Sequence, residues 1–217
     1  MNAQPVAGVV LAGGLSTRLG QDKAALRLAA GGPDLLARTH ALLRGLLPRC
    51  WVSCRADKPR LGYACVFDAV PGKGPMGGIV AALTRARDEG FAAVLALSCD
   101  LPFMDAPTLA RLLAARQAAL PQTLLTCYAA AATGRLEPLA GIYEVAALPL
   151  LLDHAGRAGR GSSLFRLFPA DLCRTLPYGP EAARPFFNLN TAADLAAAQR
   201  LAAAAEPAGE AGALGRP

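Results

Sequence analysis

Residues Val6–Leu11 (Val-Ala-Gly-Val-Val-Leu) form an unbroken apolar run that ends at Ala12-Gly13-Gly14. Six such residues bounded by glycines fit a strand buried on both faces and opening onto a loop. A strand of that kind needs layers on both sides, and open parallel α/β sheets supply them.

The rest of the chain follows the same pattern. Further short strands are expected at Cys50–Cys54, Tyr63–Phe67, Ala92–Ser98, Thr123–Ala129, Pro138–Glu144 and Leu172–Leu176. Helices are expected between them. Pro33–Leu47 carries apolar positions at helical spacing, and Pro48 follows it. Ile79–Ala86 reads as a helix starting at or near Gly77, with Gly72–Gly78 as a glycine-rich loop before it. Asp105 is a natural cap for a helix through Ala119, with Pro107 in its first turn. Val145–His154, Ser162–Phe168 and a last helix from Asn190 or Thr191 to about Ala205 complete the set. The expectation is a three-layer α/β fold with a mostly parallel central sheet. One domain is expected over residues 1–205, with 206–217 as a disordered tail.

Composition narrows the function. Of 217 residues, 53% are apolar and only 18% charged, which excludes extended disorder. Phe91–Leu97, one of the longest apolar runs, halts at Ser98-Cys99-Asp100, short of the ~18 residues of a membrane span. The first residues carry no basic stretch, so a cytoplasmic location without anchor or leader is expected. The net charge of +6 is dispersed, and no nucleic-acid motif accompanies it. Six cysteines at 50, 54, 65, 99, 127 and 173 include no C-x-x-C pair, which argues for packing thiols over zinc ligands. Cys99 precedes an aspartate, but no histidine is placed to activate it.

Ligands of open α/β sheets sit beyond the carboxyl ends of strands. Four segments there carry polar groups. In Leu11–Lys23, backbone N–H groups around Gly13 and Gly14 can cradle a phosphate, and Arg18 and Lys23 add charge. A plain turn would explain the glycines but not the cations behind them. Lys is used at only three positions, 23, 58 and 73, and two of these fall in glycine-rich loops. In the second segment, Asp68 at a strand end precedes Gly74, Pro75, Gly77 and Gly78, where loop backbone can read the edge of a base. Asp68 could also merely cap a loop. In the third, Asp100 follows a buried strand and offers hard oxygen suited to Mg²⁺, while Asp105 is the better helix cap. In the fourth, Asn188 and Asn190 share one side of an extended segment, where their amides could grip phosphate; helix capping is the competing role.

In this order, the segments resemble the molybdenum cofactor guanylyltransferase family. The family's opening pattern L-A-G-G-x-S-x-R-M-G-x-D-K is met from Leu11 to Lys23 except at Leu19. Gly74–Ile79, Cys99–Phe103, Pro138–Tyr143 and Asn188–Thr191 are similar too, so the resemblance spans about residues 6–200. It implies a Rossmann-like nucleotidyltransferase fold and GMP transfer from GTP to molybdopterin, with Mg²⁺ as cofactor. By the same resemblance, Leu11, Ala12 and Gly13 contact the nucleotide by backbone and Lys23 contacts its phosphates. Asp68 helps hold the nucleoside, and Asp100 binds the metal and GTP. Ser53, with Arg55 nearby, stands where the family often has Asn. Glu137-Pro138 differs from some members on the pterin side. The resemblance further implies molybdenum-insertion proteins and molybdoenzyme chaperones as partners, no nucleic acid or membrane, and a monomer or weak oligomer. A cytidylyltransferase of the same pterin, another small-molecule phosphate guanylyltransferase, and a nucleotide-binding adaptor stay open as alternatives.

Overall fold

The computed structural model describes residues 4–13, 22–68, 74–157, 164 and 167–204. Seven strands form one sheet in the order β3-β2-β1-β4-β6-β5-β7. They are β1 (Val6–Leu11), β2 (Cys50–Cys54), β3 (Cys65–Phe67), β4 (Ala93–Ser98), β5 (Leu125–Ala130), β6 (Leu136–Glu144) and β7 (Cys173–Tyr178). The helices are α1 (Leu35–Arg44), α2 (Pro75–Asp88), α3 (Ala106–Gln117), α4 (Leu148–Arg157) and α5 (Ala192–Ala203).

Alternation along each strand feeds two cores. Val10, Val52 and Leu97 pack with Leu43 of α1, Leu109 of α3 and Ala198 of α5. Val9, Trp51 and Val94 face the other way, onto Ile79 and Leu83 of α2 and Leu151 of α4. The three-layer architecture expected from the apolar runs is therefore present.

The chain leaves β1 through α1 on one face to reach β2, and leaves β3 through α2 on the other face to reach β4. Strand order thus reverses between β1 and β4, which are parallel neighbours pairing Leu11 with Ser98. Such a switch point opens a crevice at the carboxyl ends. β6 alone is antiparallel to its neighbours β4 and β5. It returns from β5 through a turn in which Gly134 takes φ 66°. Its beginning, around Leu139, therefore lies beside the carboxyl end of β4.

Boundaries correct the sequence reading at one informative place. Helix α2 begins at Pro75, not near Gly77. Gly74 takes φ 59°, a value that favours glycine, and Pro75 follows in the first turn with its missing N–H at no cost. Gly77 and Gly78 are consequently helical and buried. A Cβ on Gly78 would lie 2.9 Å from Cβ of Ser53 and closer still to its hydroxyl, so this glycine lets α2 press onto β2. The strand expected from Tyr63 starts at Cys65. Asp105 caps α3 and accepts from the Thr108 N–H. Thr191 caps α5 in a reciprocal box with Asp194, which settles the choice between Asn190 and Thr191. The helix expected over Ser162–Phe168 lies mainly outside the described residues, and the tail 206–217 lies wholly outside them. No described helix is long and apolar enough to cross a membrane.

Candidate active site

A cleft of about 330 Å³ opens at the β1/β4 switch point. Strand ends build its floor. Leu11 ends β1 and Ala12 and Gly13 follow it, Ser53 is the penultimate residue of β2, and Ser98 ends β4 with Cys99 and Asp100 after it. The walls come from Asp68 after β3, Gly74 and Pro75 at the start of α2, Leu139 of β6, Asn190 before α5, and Asp22-Lys23-Ala24. The ladder is carried past the strand ends. Ala12 N–H donates to the Ser53 carbonyl at 3.1 Å and Cys99 N–H to the Leu11 carbonyl at 3.4 Å.

Lys23 opens a single 3-10 turn, Lys23–Ala25, capped by the Asp22 carboxylate through the Ala24 N–H. Its ammonium donates to Asn190 Oδ1 at 2.8 Å and lies 3.8 Å from Asp100 Oδ2. The late segment is brought there by the backbone, because Leu189 N–H donates to the Asp100 carbonyl at 2.9 Å.

Asp100 Oδ1 is buried and has no hydrogen-bond partner. Burial pushes its pKa up, against the opposing pull of the Ser98 hydroxyl and Lys23. Asp68 is also pushed up by burial, while the Ser53 hydroxyl, donating to its Oδ1 at 2.9 Å, and Arg55 pull it down. A Cβ on Gly13 would sit 3.6 Å from Asp68 Oδ2, so that carboxylate closes on the end of β1. Cys99 is not primed for nucleophilic attack: burial, then the Asp100 charge, push its thiol up to about 12. The six cysteines are unpaired.

This arrangement can hold polyphosphate. It has a cation at the cleft, strand-end backbone groups for a nucleoside, and one under-satisfied carboxylate. Comparison with known proteins agrees. The sequence profile of the MobA-like NTP transferase domain matches residues 8–172. The molybdenum cofactor guanylyltransferase of Rhizobium johnstonii is 37% identical over 201 residues, covering 90% of this chain and 92% of the relative.

The chain belongs to the molybdenum cofactor guanylyltransferase family.

A second relative of that name, from Rhizobium leguminosarum bv. trifolii, is 36% identical over 205 residues, covering 90% and 92% of the two chains. Among solved structures, molybdopterin-guanine dinucleotide biosynthesis protein A of Archaeoglobus fulgidus shares the fold. Its TM-score is 0.71 at 22% identity, covering 91% of this chain and 99% of that one. This member of the family is a nucleotidyltransferase.

Of the residues singled out from the sequence, Leu11, Ala12, Gly13, Lys23, Ser53, Asp68, Gly74, Pro75, Asp100 and Asn190 line one cleft. Gly77 and Gly78 stand behind it in the first turn of α2. Asn188 is exposed and outside the lining, since the segment before Asn190 is not a paired strand and does not impose alternation. Gly14, Arg18 and Lys73 lie outside the described residues. Sequence reasoning missed Arg60. Its guanidinium grips both oxygens of Asp22, at 2.7 and 3.0 Å, and reaches the Ala12 carbonyl at 3.3 Å. Lys58 joins Asp22 at 3.1 Å from a more exposed position. These contacts, Arg60 first, hold the Asp22 pKa down to about 2. Nothing local marks Arg60 in a chain whose cations are nearly all Arg.

Proposed function

We propose that this enzyme transfers GMP from GTP to the terminal phosphate of molybdopterin, forming the guanine dinucleotide cofactor and pyrophosphate. The observation that carries this reading is the meeting of Lys23, Asp100 and Asn190 at the switch point of a chain from this family. A terminal phosphate oxygen of the pterin attacks the α-phosphorus of GTP. The bond from that phosphorus to the oxygen bridging toward the β-phosphate breaks, and its electron pair leaves with pyrophosphate. A phosphate dianion needs no strong general base, so the chemistry asks for positioning and charge, and the cleft is built from such groups.

In this reading Leu11, Ala12 and Gly13 hold the nucleoside through their backbone, with Asp68 and the Ser53 hydroxyl beside them. Gly74 and Pro75 border the base. Lys23 faces the phosphates and Asn190 orients it; Arg18 and Gly14 of the same motif are assigned to the phosphates from the sequence alone. Mg²⁺ fits the donor set. Asp100 offers a buried oxygen without a protein partner, and it would act as a single carboxylate ligand, since no group of three ligating side chains stands among the described residues. A hard ion held by one carboxylate fills its remaining positions with water and phosphate. When bound, it would neutralise charge on the phosphates. Cytoplasmic work, and exchange of pterin with molybdenum-insertion proteins and molybdoenzyme chaperones, belong to the same proposal.

The test is pyrophosphate release by the purified chain with molybdopterin, Mg²⁺ and each of GTP, CTP and ATP. GTP should be turned over fastest. Faster turnover of CTP would overturn the reading, and nucleotide binding without pyrophosphate release would indicate an adaptor.

A further inference from the structure

We infer that Arg60 is a positioning residue for this transfer, one that fixes the Ala12 carbonyl and the Lys23 ammonium relative to each other. The inference rests on the reaction proposed above.

Ala12, just past the end of β1, and Asp22, just before Lys23, both line the cleft, and a single guanidinium touches both. Arg60 Nη1 donates to Asp22 Oδ2, while Nη2 donates to both Asp22 Oδ1 and the Ala12 carbonyl. A planar fork on a carboxylate sets angle as well as distance, which a point charge does not. Asp22 Oδ1 passes the constraint on by accepting the Ala24 N–H at 3.2 Å. It therefore holds the turn that starts at Lys23. The Arg60 side chain is only 16% exposed, so the pair is less screened than a surface ion pair.

Arg60 is itself anchored. Its carbonyl accepts the Tyr63 N–H at 3.2 Å and the Cys65 thiol at 3.5 Å, which ties it to the start of β3. The β2–β3 connection thus sets the geometry between the nucleoside end and the phosphate end of the cleft. The two arms have separable consequences. Loss of the Ala12 arm should weaken nucleotide binding. Loss of the Asp22 arm should misplace Lys23 and slow the chemical step.

The experiment compares wild type with R60Q, R60K, D22N and the R60Q/D22N double variant. GTP with Mg²⁺ is the binding probe, and steady-state transfer to molybdopterin gives kcat and KM. R60Q should raise KM for GTP and lower kcat by roughly ten- to a hundredfold, as misplacement of about 1 Å does. D22N should lower kcat with KM nearly unchanged, and the double variant should be no slower than R60Q. R60K keeps charge beside Asp22 but loses the fork, so it should recover part of kcat while KM stays raised. Equal loss in every variant with no kcat–KM split would leave Arg60 a mere staple and overturn the inference. So would amide hydrogen exchange over residues 22–26 that is unchanged in R60Q, a readout independent of any turnover. Failure of the wild type to turn over GTP, with exchange responding as expected, would instead sink the proposed reaction and leave the Arg60 geometry standing.

Discussion

Asp22 and Asp100 border the same cleft and are treated in opposite ways. Asp22 is saturated: a guanidinium, an ammonium and a backbone N–H hold its carboxylate, and its pKa falls to about 2. Asp100 is more buried, keeps one oxygen without a partner, and has its pKa pushed up. Linkage gives the two opposite signs. Asp22 has a depressed folded pKa, so it adds stability above its ordinary value of 3.8, and that stability is lost as pH falls through about 2. Asp100 has a raised folded pKa, so its ionisation costs stability as pH rises through that value. A carboxylate that opposes the fold at neutral pH is a candidate for work on a ligand, the role proposed above for Asp100. The contrast sets an acid saturated by its partners against one that keeps an oxygen open.

Four substitutions strain the contrast, in falling order of effect. D100A should lower transfer by at least ~10²-fold, the size expected when a group that organises transition-state charge is removed. A near-normal rate would place the working acid elsewhere. D22N should cost about 1 kcal/mol of stability at neutral pH once partial exposure is allowed for, and the deficit should shrink as pH approaches 2. Urea unfolding at pH 7 and pH 3 measures it, and a pH-independent deficit would mean that the ion pair is not its cause. D100N should raise the urea midpoint at neutral pH by a smaller margin while abolishing Mg²⁺-dependent transfer. A lowered midpoint would remove the claim that Asp100 opposes folding. K58Q should stay within ~0.5 kcal/mol of wild type, as exposed pairs do, and a larger loss would shift credit for the Asp22 pKa from Arg60 to Lys58.

How much of this was legible in the sequence depended on whether the signal was local. β1, β2 and β4 were visible as apolar runs, because strands buried on both faces leave no choice of residue. The start of α2 was misread because Gly77-Gly78 resembles a loop. Gly78 is instead small so that the helix can touch Ser53. Lys23 and Asn190 were both singled out but not their pairing, since the contact spans 167 residues. Arg60 was invisible for the same reason. The grip on Asp22 spans 38 residues, and one Arg among many carries no mark of it. The sheet order, with its reversal between β1 and β4, was also beyond reach, because periodicity assigns a strand its faces but not its neighbours.

The tie between Lys23 and Asn190 has a consequence for biosynthesis. A chain growing on the ribosome completes β1, β2 and β4 early, yet lacks the side chain that accepts from the Lys23 ammonium until Asn190 has emerged. A nascent or truncated chain ending before that residue would carry the sheet without the Asn190 acceptor for the Lys23 ammonium.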